Sequence, residues 1–451
     1  MSSQDIKVAI IGSGIVGLIV GMGLAKRGVK VGIYEQSPGV REIGAGVAFT
    51  ANAIRCMGLI DPTLVEALRA VATPNGDPDS PTDHLQWVDG LHQGPEWNIM
   101  YRLDCGYRGF EGCHRAHFVD EILKRMDGEI VHFGKKLVSF SDDESQSHVR
   151  LDFEDGSTAA ANIVVGCDGI KSQVRKLLFG GDNPVSYPRF SHKVAFRALV
   201  PMEKAEKALG PSRARRQHMH IGPDAHVLHF PVASQTLMNV VAFVDEPGEW
   251  VPAMNSVKNG VKTTNDRNSG CTIREKSMVA PATRQEVEVA FANWGPGARA
   301  VINLLPEEID RWAIFDMYDH PIPTYTQGRV CLAGDAAHAS APHHGAGAGI
   351  GVEDSLALCT LLEMVLQNEN EKGDNLANIK KALKVYDEVR RERSQWLVKS
   401  SREVCEIYEG KYPATGTDMD KCFAEIKERS HKLWYFDIEK MLADTRRLYK
   451  E

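Results

Sequence analysis

The sequence has no Cys-x-x-Cys pair: nine cysteines stand singly at positions 56, 105, 113, 167, 271, 331, 359, 405 and 422. An odd, scattered set in a long chain excludes a disulfide-stapled scaffold and fits reduced thiols in a cytosol-like compartment. Excess positive charge is also lacking. With 53 basic against 60 acidic residues the net charge is −7, so no general attraction to nucleic acid or an anionic membrane is expected. No repeat of solenoid type occurs. Long apolar runs are almost absent. The one exception, Val8 to Ala25, is interrupted by glycines and has no basic segment before it, so it is expected to be neither a membrane span nor a secretory leader.

What remains is an ordinary globular composition, 43% hydrophobic and 25% charged over 451 residues, which is enough for two to three domains. The run at residues 6–11 reads as a buried strand of a parallel sheet. Gly12-Ser13-Gly14 punctuates it, residues 15–27 read as a helix closed by Gly28, and 29–34 read as a second strand. Together they form a βαβ unit. Two further strand-to-turn motifs follow far apart: Ile163 to Gly166 into Cys167-Asp168-Gly169, and Arg329 to Ala333 into Gly334-Asp335, with a helix from about 352 to 367. Between them, residues 190–245 carry alternating stretches expected to form strands of a mixed or antiparallel sheet. Residues 375–410 and 420–449 have helical periodicity, and 253–277 is a polar stretch expected to be a loop or insertion.

The Gly12-Ser13-Gly14-Ile15-Val16-Gly17 segment matches the dinucleotide fingerprint. The first glycine permits the turn, the second lets backbone approach a pyrophosphate, and the third lets helix and strand pack closely. A helix N-terminus offers free N–H groups and a positive dipole end to phosphates. Glu35, at the end of the second strand, stands where an acidic side chain can bind ribose hydroxyls. This motif does not choose between a nicotinamide and a flavin dinucleotide. A strand delivering Gly334-Asp335 can set a carboxylate against a ribitol hydroxyl, and the glycines after Pro342 leave backbone N–H groups unobstructed.

These three motifs, in this order, resemble the FAD-dependent aromatic hydroxylases of the para-hydroxybenzoate and salicylate hydroxylase type, over about 5–250 and 278–445. The segments beginning at Arg41, Tyr107, His192 and Pro342 are similar to a fungal subgroup that hydroxylates and dearomatises resorcylaldehydes on routes to tropolones, sorbicillinoids and azaphilones. The resemblance implies an α/β fold in which a Rossmann-like FAD-binding domain (1–75, 105–180 and 320–365) interleaves with a mixed β-sheet substrate domain (76–104 and 181–319), followed by a helical region (366–451). It implies FAD as cofactor, NAD(P)H and O2 as co-substrates, a small phenolic substrate and a cytoplasmic setting. Cofactor contacts would come from Gly12, Gly14, Gly17, Glu35, Ala48, Arg115, Asp168, Asp335 and Ala348. Arg197 would grip the substrate as phenolate, because an electrophilic oxygen needs an electron-rich ring and a fixed cation lowers a phenol's pKa. Phe230 stands where some relatives have a tyrosine, and Tyr107 is a candidate substitute for the lost hydroxyl. Ala346 replaces the glutamine of many broader relatives.

No metal site is expected. His338, His343 and His344 cluster in sequence, but the carboxylate at ligand spacing is Asp335, which has the cofactor role. Ser13 and Ser172 have no triad partners. Trp294, Trp312 and the 352–367 helix read as packing, and the C-terminal charges read as solvated helix faces. Simple or decarboxylative hydroxylation of a salicylate-like acid, a flavin-free dehydrogenase, and a non-catalytic flavin sensor remain as alternatives.

Overall fold

The computed structural model describes residues 6–39, 46–74, 83–104, 111–250, 277–368 and 375–451. The strand Lys7–Ile11 pairs in parallel with Lys30–Tyr34 on one side and Ile163–Gly166 on the other. A third apolar run, Val330–Leu332, is wholly buried and extends the sheet in parallel beside Ile163–Gly166. The full order is Thr326–Gln327, Val330–Leu332, Ile163–Gly166, Lys7–Ile11, Lys30–Tyr34, Val131–His132. Distant stretches of chain thus meet in one six-stranded sheet. Val8, Ala9, Ile10, Val164 and Val165 are fully buried, as covering on both faces requires.

The helix Ile15–Lys26 is buried on nearly every side. Its glycines explain how: a Cβ on Gly21 would meet Ile33 Cδ1 at 2.6 Å, and one on Gly23 would meet Cys359 Sγ at 2.7 Å. The apolar run Val8 to Ala25 is therefore divided between a strand and a close-packed helix, and no described helix is long and apolar enough to cross a membrane. The helix expected near 352 begins earlier, at Gly347, and runs to Asn368. Its early glycines serve packing within the first turns. A Cβ on Gly351 would lie 2.4 Å from Val16 Cγ2, and one on Gly349 would lie 3.2 Å from Ala53 Cβ.

The second sheet has eight strands, ordered Val279–Thr283, Glu308–Asp316, Arg189–Pro201, Leu237–Asp245, Ala225–Val232, His218–Gly222, Asp83–Asp89, Ile99–Asp104. Its pairs are antiparallel except His218–Gly222 with Asp83–Asp89. Alternation sorts the side chains. Val194, Phe196 and Val200 enter a core with Val227, Val240 and the helices that carry Leu209, Val287 and Val301. Ala195, Val241, Phe243 and Ile314 point the other way and meet Ala341, on the loop after Gly334-Asp335. The polar insertion expected at 253–277 falls outside the described residues except for Ser277. All seven described cysteines are free and buried.

The C-terminal helices are Asn375–Tyr408, Met419–Trp434 and Ile438–Lys450. Leu397, Val404, Ile407 and Phe423 pack on Trp87, Leu103 and Ile350. The expectation of solvated charged faces needs correction at one place. Arg390 is fully buried, donating from Nε to Asp354 Oδ1 and from Nη2 to Glu353 Oε2, each at 2.9 Å. Arg393 adds bonds to both Glu353 oxygens at 2.7 and 2.8 Å, and Asn52 Nδ2 a further one at 2.9 Å. Breaking such a pair strands a buried charge, which costs about 3–5 kcal/mol. Arg390→Met is therefore expected to lose about 3 kcal/mol or more in chemical denaturation, whereas Arg447→Met, on an exposed pair, should leave the denaturation midpoint essentially unchanged.

Candidate functional site

The glycine turn fixes the first wall. Gly12 has φ +102°, and a Cβ there would lie 2.6 Å from the Cys167 carbonyl oxygen; one on Gly17 would lie 2.1 Å from the Gly12 carbonyl oxygen. Both positions are closed to a side chain, and the strand ends at Ile11 and Gly166 are drawn together there. Gly14 caps the helix Ile15–Lys26 without any side-chain hydrogen bond, and the first turn contains no acidic residue. Its N–H groups are left for an anion. Arg115 Nη2 lies 3.5 Å from where a Gly14 Cβ would be, so a guanidinium faces the same helix end. Arg115 begins the helix Arg115–Leu123 directly after the strand Glu111–His114. That strand pairs antiparallel with Gly46–Phe49, setting Ala48 opposite Gly112. Ala48 is buried.

Glu35 accepts hydrogen bonds from Ser13 N–H at 2.9 Å, Ser13 Oγ at 3.1 Å and Ser37 N–H at 2.8 Å. Its carboxylate thus lies against the glycine turn. Asp335 opens a short helix, Asp335–His338, and is exposed, unlike the buried residues on either side of it. Surrounding protein pushes its carboxyl above the ordinary range, with His338, Arg115 and Arg175 opposing. Gly334 has φ +60°, and its Cβ would meet Val16 Cγ2 at 2.9 Å, so the Asp335 turn abuts the first helix. Ala348 is partly buried in the first turn of Gly347–Asn368.

Asp168 lies against the N-terminus of the helix Gln173–Phe179, whose N-cap residue is Ser172. It accepts from Ser172 Oγ at 2.5 Å, Gln173 N–H at 2.6 Å and Val174 N–H at 3.1 Å. Burial pushes its carboxyl up while these bonds oppose the shift. Two braces escaped the sequence reading. Arg175 is fully buried and donates to the carbonyls of Ile170 at 2.5 Å and Ala336 at 2.8 Å, joining the Asp168 motif to the Asp335 motif. Asp354 accepts from Gly334 N–H at 3.0 Å, His338 Nε2 at 2.5 Å and Arg390. Burial would raise its carboxyl, but His338, Arg390 and the hydrogen bonds prevail and hold it at about 2.

Facing these turns is the second face of the eight-stranded sheet. Register puts Arg197 opposite Val241, which in turn is opposite Leu228; on this face the row is flanked by Ala195, Phe243 and His226 on one side and by Leu199, Asn239 and Phe230 on the other. Arg197 has no carboxylate partner among the described residues. Its Nε is buried without a hydrogen bond, and the guanidinium lies over Trp312, 5.6 Å from the ring centroid. Burial pulls its pKa below that of a free guanidinium. Trp312, expected to be a packing residue only, therefore also braces this cation; Trp294 is a packing residue, filling space beside Gly90 and Gly222. Phe230 is buried, with Cζ 3.9 Å from a Gly46 Cβ position. Tyr107 lies outside the described residues. The clustered histidines have separate partners: His338 bonds Asp354, His344 Nε2 bonds Ser400 Oγ at 2.9 Å, and His343 Nδ1 bonds His226 Nε2 at 3.3 Å.

A family profile described as FAD binding domain matches residues 5–198 and 224–401. The chain belongs to this FAD-binding family. The FAD-dependent monooxygenase pigN of Monascus ruber is 47% identical over 450 residues, covering 99% of this chain and 97% of that protein. The salicylate hydroxylase asL1 of Sarocladium schorii is 42% identical, covering 99% and 92%. A solved salicylate hydroxylase substrate complex superimposes with a TM-score of 0.79 at 30% identity, covering 98% of both chains. This flavoprotein is an FAD-dependent monooxygenase with the salicylate hydroxylase fold.

The uncapped helix end, the facing Arg115 and the glycines that no side chain can replace fit a bound dinucleotide. Gly17→Val would drive its side chain into the Gly12 carbonyl. We expect the purified variant to keep its far-UV circular dichroism yet hold FAD at least tenfold more weakly, measured by equilibrium dialysis.

Proposed function

We propose that this monooxygenase uses NAD(P)H and O2 to hydroxylate a phenolic polyketide ring at the carbon beside a phenolate, as in fungal azaphilone-type secondary metabolism. Where that carbon bears an alkyl group, the ring cannot rearomatise and a hydroxy-dienone results. The observation that carries this reading is Arg197. A desolvated guanidinium without a counter-ion among the described residues, stacked on Trp312 and aimed from the sheet toward the loop with Ala341, fits an anionic ligand. A bound phenolate supplies the missing charge, and the same pairing lowers the phenol's pKa from about 10.

The residues that would hold FAD are Gly12, Gly14, Gly17 and Arg115 at the pyrophosphate, Glu35 at the adenosine ribose and Asp335 at the ribityl chain. Ala48 and Ala348 would line the ring, with Asp168 at the adjoining turn. Bound FAD, reduced by NAD(P)H, supplies an electrophilic oxygen drawn from O2. Arg197 orients the ring and keeps it ionised, while Phe230 and Trp312 exclude water. Phe230 offers no hydroxyl, so orientation rests on Arg197 and on Tyr107. The boundaries in this reading are 1–75, 105–180 and 320–365 for the FAD domain and 76–104 and 181–319 for the substrate domain. Free buried thiols support a cytoplasmic setting. A salicylate-type reaction is the second reading, favoured by the name and 42% identity of asL1.

Mass analysis after incubation with NADPH and alkylated resorcylaldehydes tests the first reading: a product heavier by one oxygen and lacking an aromatic ring supports it. Turnover of salicylate alone, with CO2 lost, supports the second. Arg197→Gln is expected to retain FAD and to lose about 100-fold in kcat/KM for the phenol; full activity would overturn the phenolate role. Asp335→Ala is expected to weaken FAD binding at least tenfold, as read from quenching of flavin fluorescence.

A further inference from the structure

One chain of buried hydrogen bonds is not used by the cofactor or by Arg197. His343, on the loop after Pro342, bonds through Nδ1 to His226 Nε2 at 3.3 Å. His226 Nδ1 lies 3.0 Å from Glu409 Oε1. Glu409 Oε2 pairs with Lys193, Lys193 with Asp245, and Asp245 with Lys411. His226, His343 and Glu409 are buried, Lys193 is mostly so, and the Lys411 side chain is 37% exposed. The series therefore runs from the loop beside the site to the surface.

We infer that His343, His226 and Glu409 form a proton exit that accepts the phenolic proton at His343 Nε2 and passes it to the Lys193, Asp245 and Lys411 group at the surface. This rests on the reading of the substrate as a phenol. Donor and acceptor logic sets its direction. Glu409 is held ionised at about 2: burial would raise it, but His226 and Lys193 lower it. An ionised carboxylate only accepts, so His226 must carry its proton on Nδ1. Its Nε2 is then a lone pair, and His343 must donate from Nδ1. That leaves His343 Nε2 as the acceptor at the inner end. Burial depresses the pKa of both rings below the usual histidine value, so both rest neutral, as a relay requires.

The location agrees. His343 packs edge-on to His226 and lies 4.8 Å from the Phe243 ring, centroid to centroid. Phe243 and His226 share a row with Ala195, two residues from Arg197 on the same sheet face. That is a strand spacing of roughly 6.6–6.8 Å. The other groups around His343 are His344, Arg402, Lys193 and the Tyr408 hydroxyl, which donates to its carbonyl at 3.5 Å. Cys405 adjoins Glu409 with Sγ 3.6 Å from Oε1, and its thiol is pushed far up by burial. His226, His343 and Cys405 bring one ligand atom each within 4.8 Å of one another. A protonated thiol and the Lys193 ammonium on Glu409 suit proton transfer there better than a metal ion. In one transfer the phenol O–H breaks and His343 Nε2–H forms. His343 Nδ1–H passes to His226 Nε2, and His226 Nδ1–H passes to Glu409. Lys411, partly exposed and 3.4 Å from Glu409 Oε2, gives one N–H proton to water and takes the proton from Glu409 in its place, so carboxylate and ammonium are both restored, one proton leaves at the surface, and no electron moves.

The test mixes FAD-loaded enzyme with an alkylresorcinol at pH 7 in a stopped-flow instrument containing a pH indicator, without NAD(P)H. Wild type is expected to release one proton per ligand bound. His226→Phe and Glu409→Gln are expected to bind the ligand with Kd within threefold of wild type yet release the proton at least tenfold more slowly. Lys411→Met, at the exposed end, serves as the variant least able to disturb folding and is expected to slow release severalfold. Binding with unchanged release rates in all three variants would overturn the exit, as would ligand binding by wild type with no proton released. Failure of wild type to bind any phenol would instead overturn the proposed substrate class, and the exit with it.

Discussion

Asp354 is the carboxylate on which the site's geometry hangs. Its Oδ2 takes the Gly334 N–H and the His338 ring, and its Oδ1 takes Arg390 from a helix that begins more than twenty residues after it. Gly334 adopts positive φ and presses on Val16, so the turn that presents Asp335 could relax in several ways if its N–H were free. An ionised acceptor inside the protein removes that freedom. The arrangement is stable only because the charge is matched: Arg390 and Arg393 answer Asp354 and Glu353 in a space where neither carboxylate could stand alone. Glu353 also receives Asn52, from the helix that follows the Ala48 strand. One ion cluster thereby holds the Asp335 turn, the Gly347 helix, the Ala48 segment and the C-terminal helix in register.

Arg175 performs a related task at the other turn, with carbonyls as partners in place of carboxylates. Its donors reach Ile170 and Ala336, so the Asp168 and Asp335 motifs cannot move separately. The contrast with Arg197 is informative. Arg390 and Arg175 are saturated with acceptors, whereas Arg197 has an aromatic face and a buried, unbonded Nε. Arg311 and Arg391 also carry a buried, unbonded Nε, but each pairs with a carboxylate, Glu246 and Asp387, whereas Arg197 has none among the described residues, and this is the feature on which the proposed anion-binding role rests.

Much of this was legible in the sequence, for local reasons. Gly12, Gly14 and Gly17 are a short-range steric demand, and Glu35 follows from strand length, so both could be read from spacing. The alternation in 190–245 likewise encodes a sheet with two unlike faces. The braces were not legible. Arg390 lies on a helix rich in charge, and periodicity cannot tell a buried arginine from a solvated one when its partner is 36 residues away. The helix start at Gly347 was hidden because glycine usually marks a turn; here the missing Cβ atoms of Gly347, Gly349 and Gly351 admit Ser340, Ala53 and Val16 in turn. His226 and His343 are 117 residues apart, and their pairing is a property of the fold alone. That Arg197 lacks a carboxylate partner among the described residues is equally tertiary, since a sequence cannot display the absence of a neighbour.

The two ends of the site are chemically opposite, and this follows from charge placement alone. Arg197 can only donate hydrogen bonds and carries a fixed positive charge. His343 is forced by Glu409, through His226, to present a lone pair. A ligand that suits both must bring an oxygen able to bear negative charge and a proton to give up, and a phenol has both on one atom. Ionising it moves charge toward Arg197 and a proton toward His343, so each end favours the step that the other requires. A neutral hydrocarbon would leave the guanidinium without a counter-ion, and a carboxylate ionised before entry would have no proton for the relay. In the proposed reading, the pairing of a permanent donor with an enforced acceptor would therefore favour weak aromatic acids over neutral hydrocarbons.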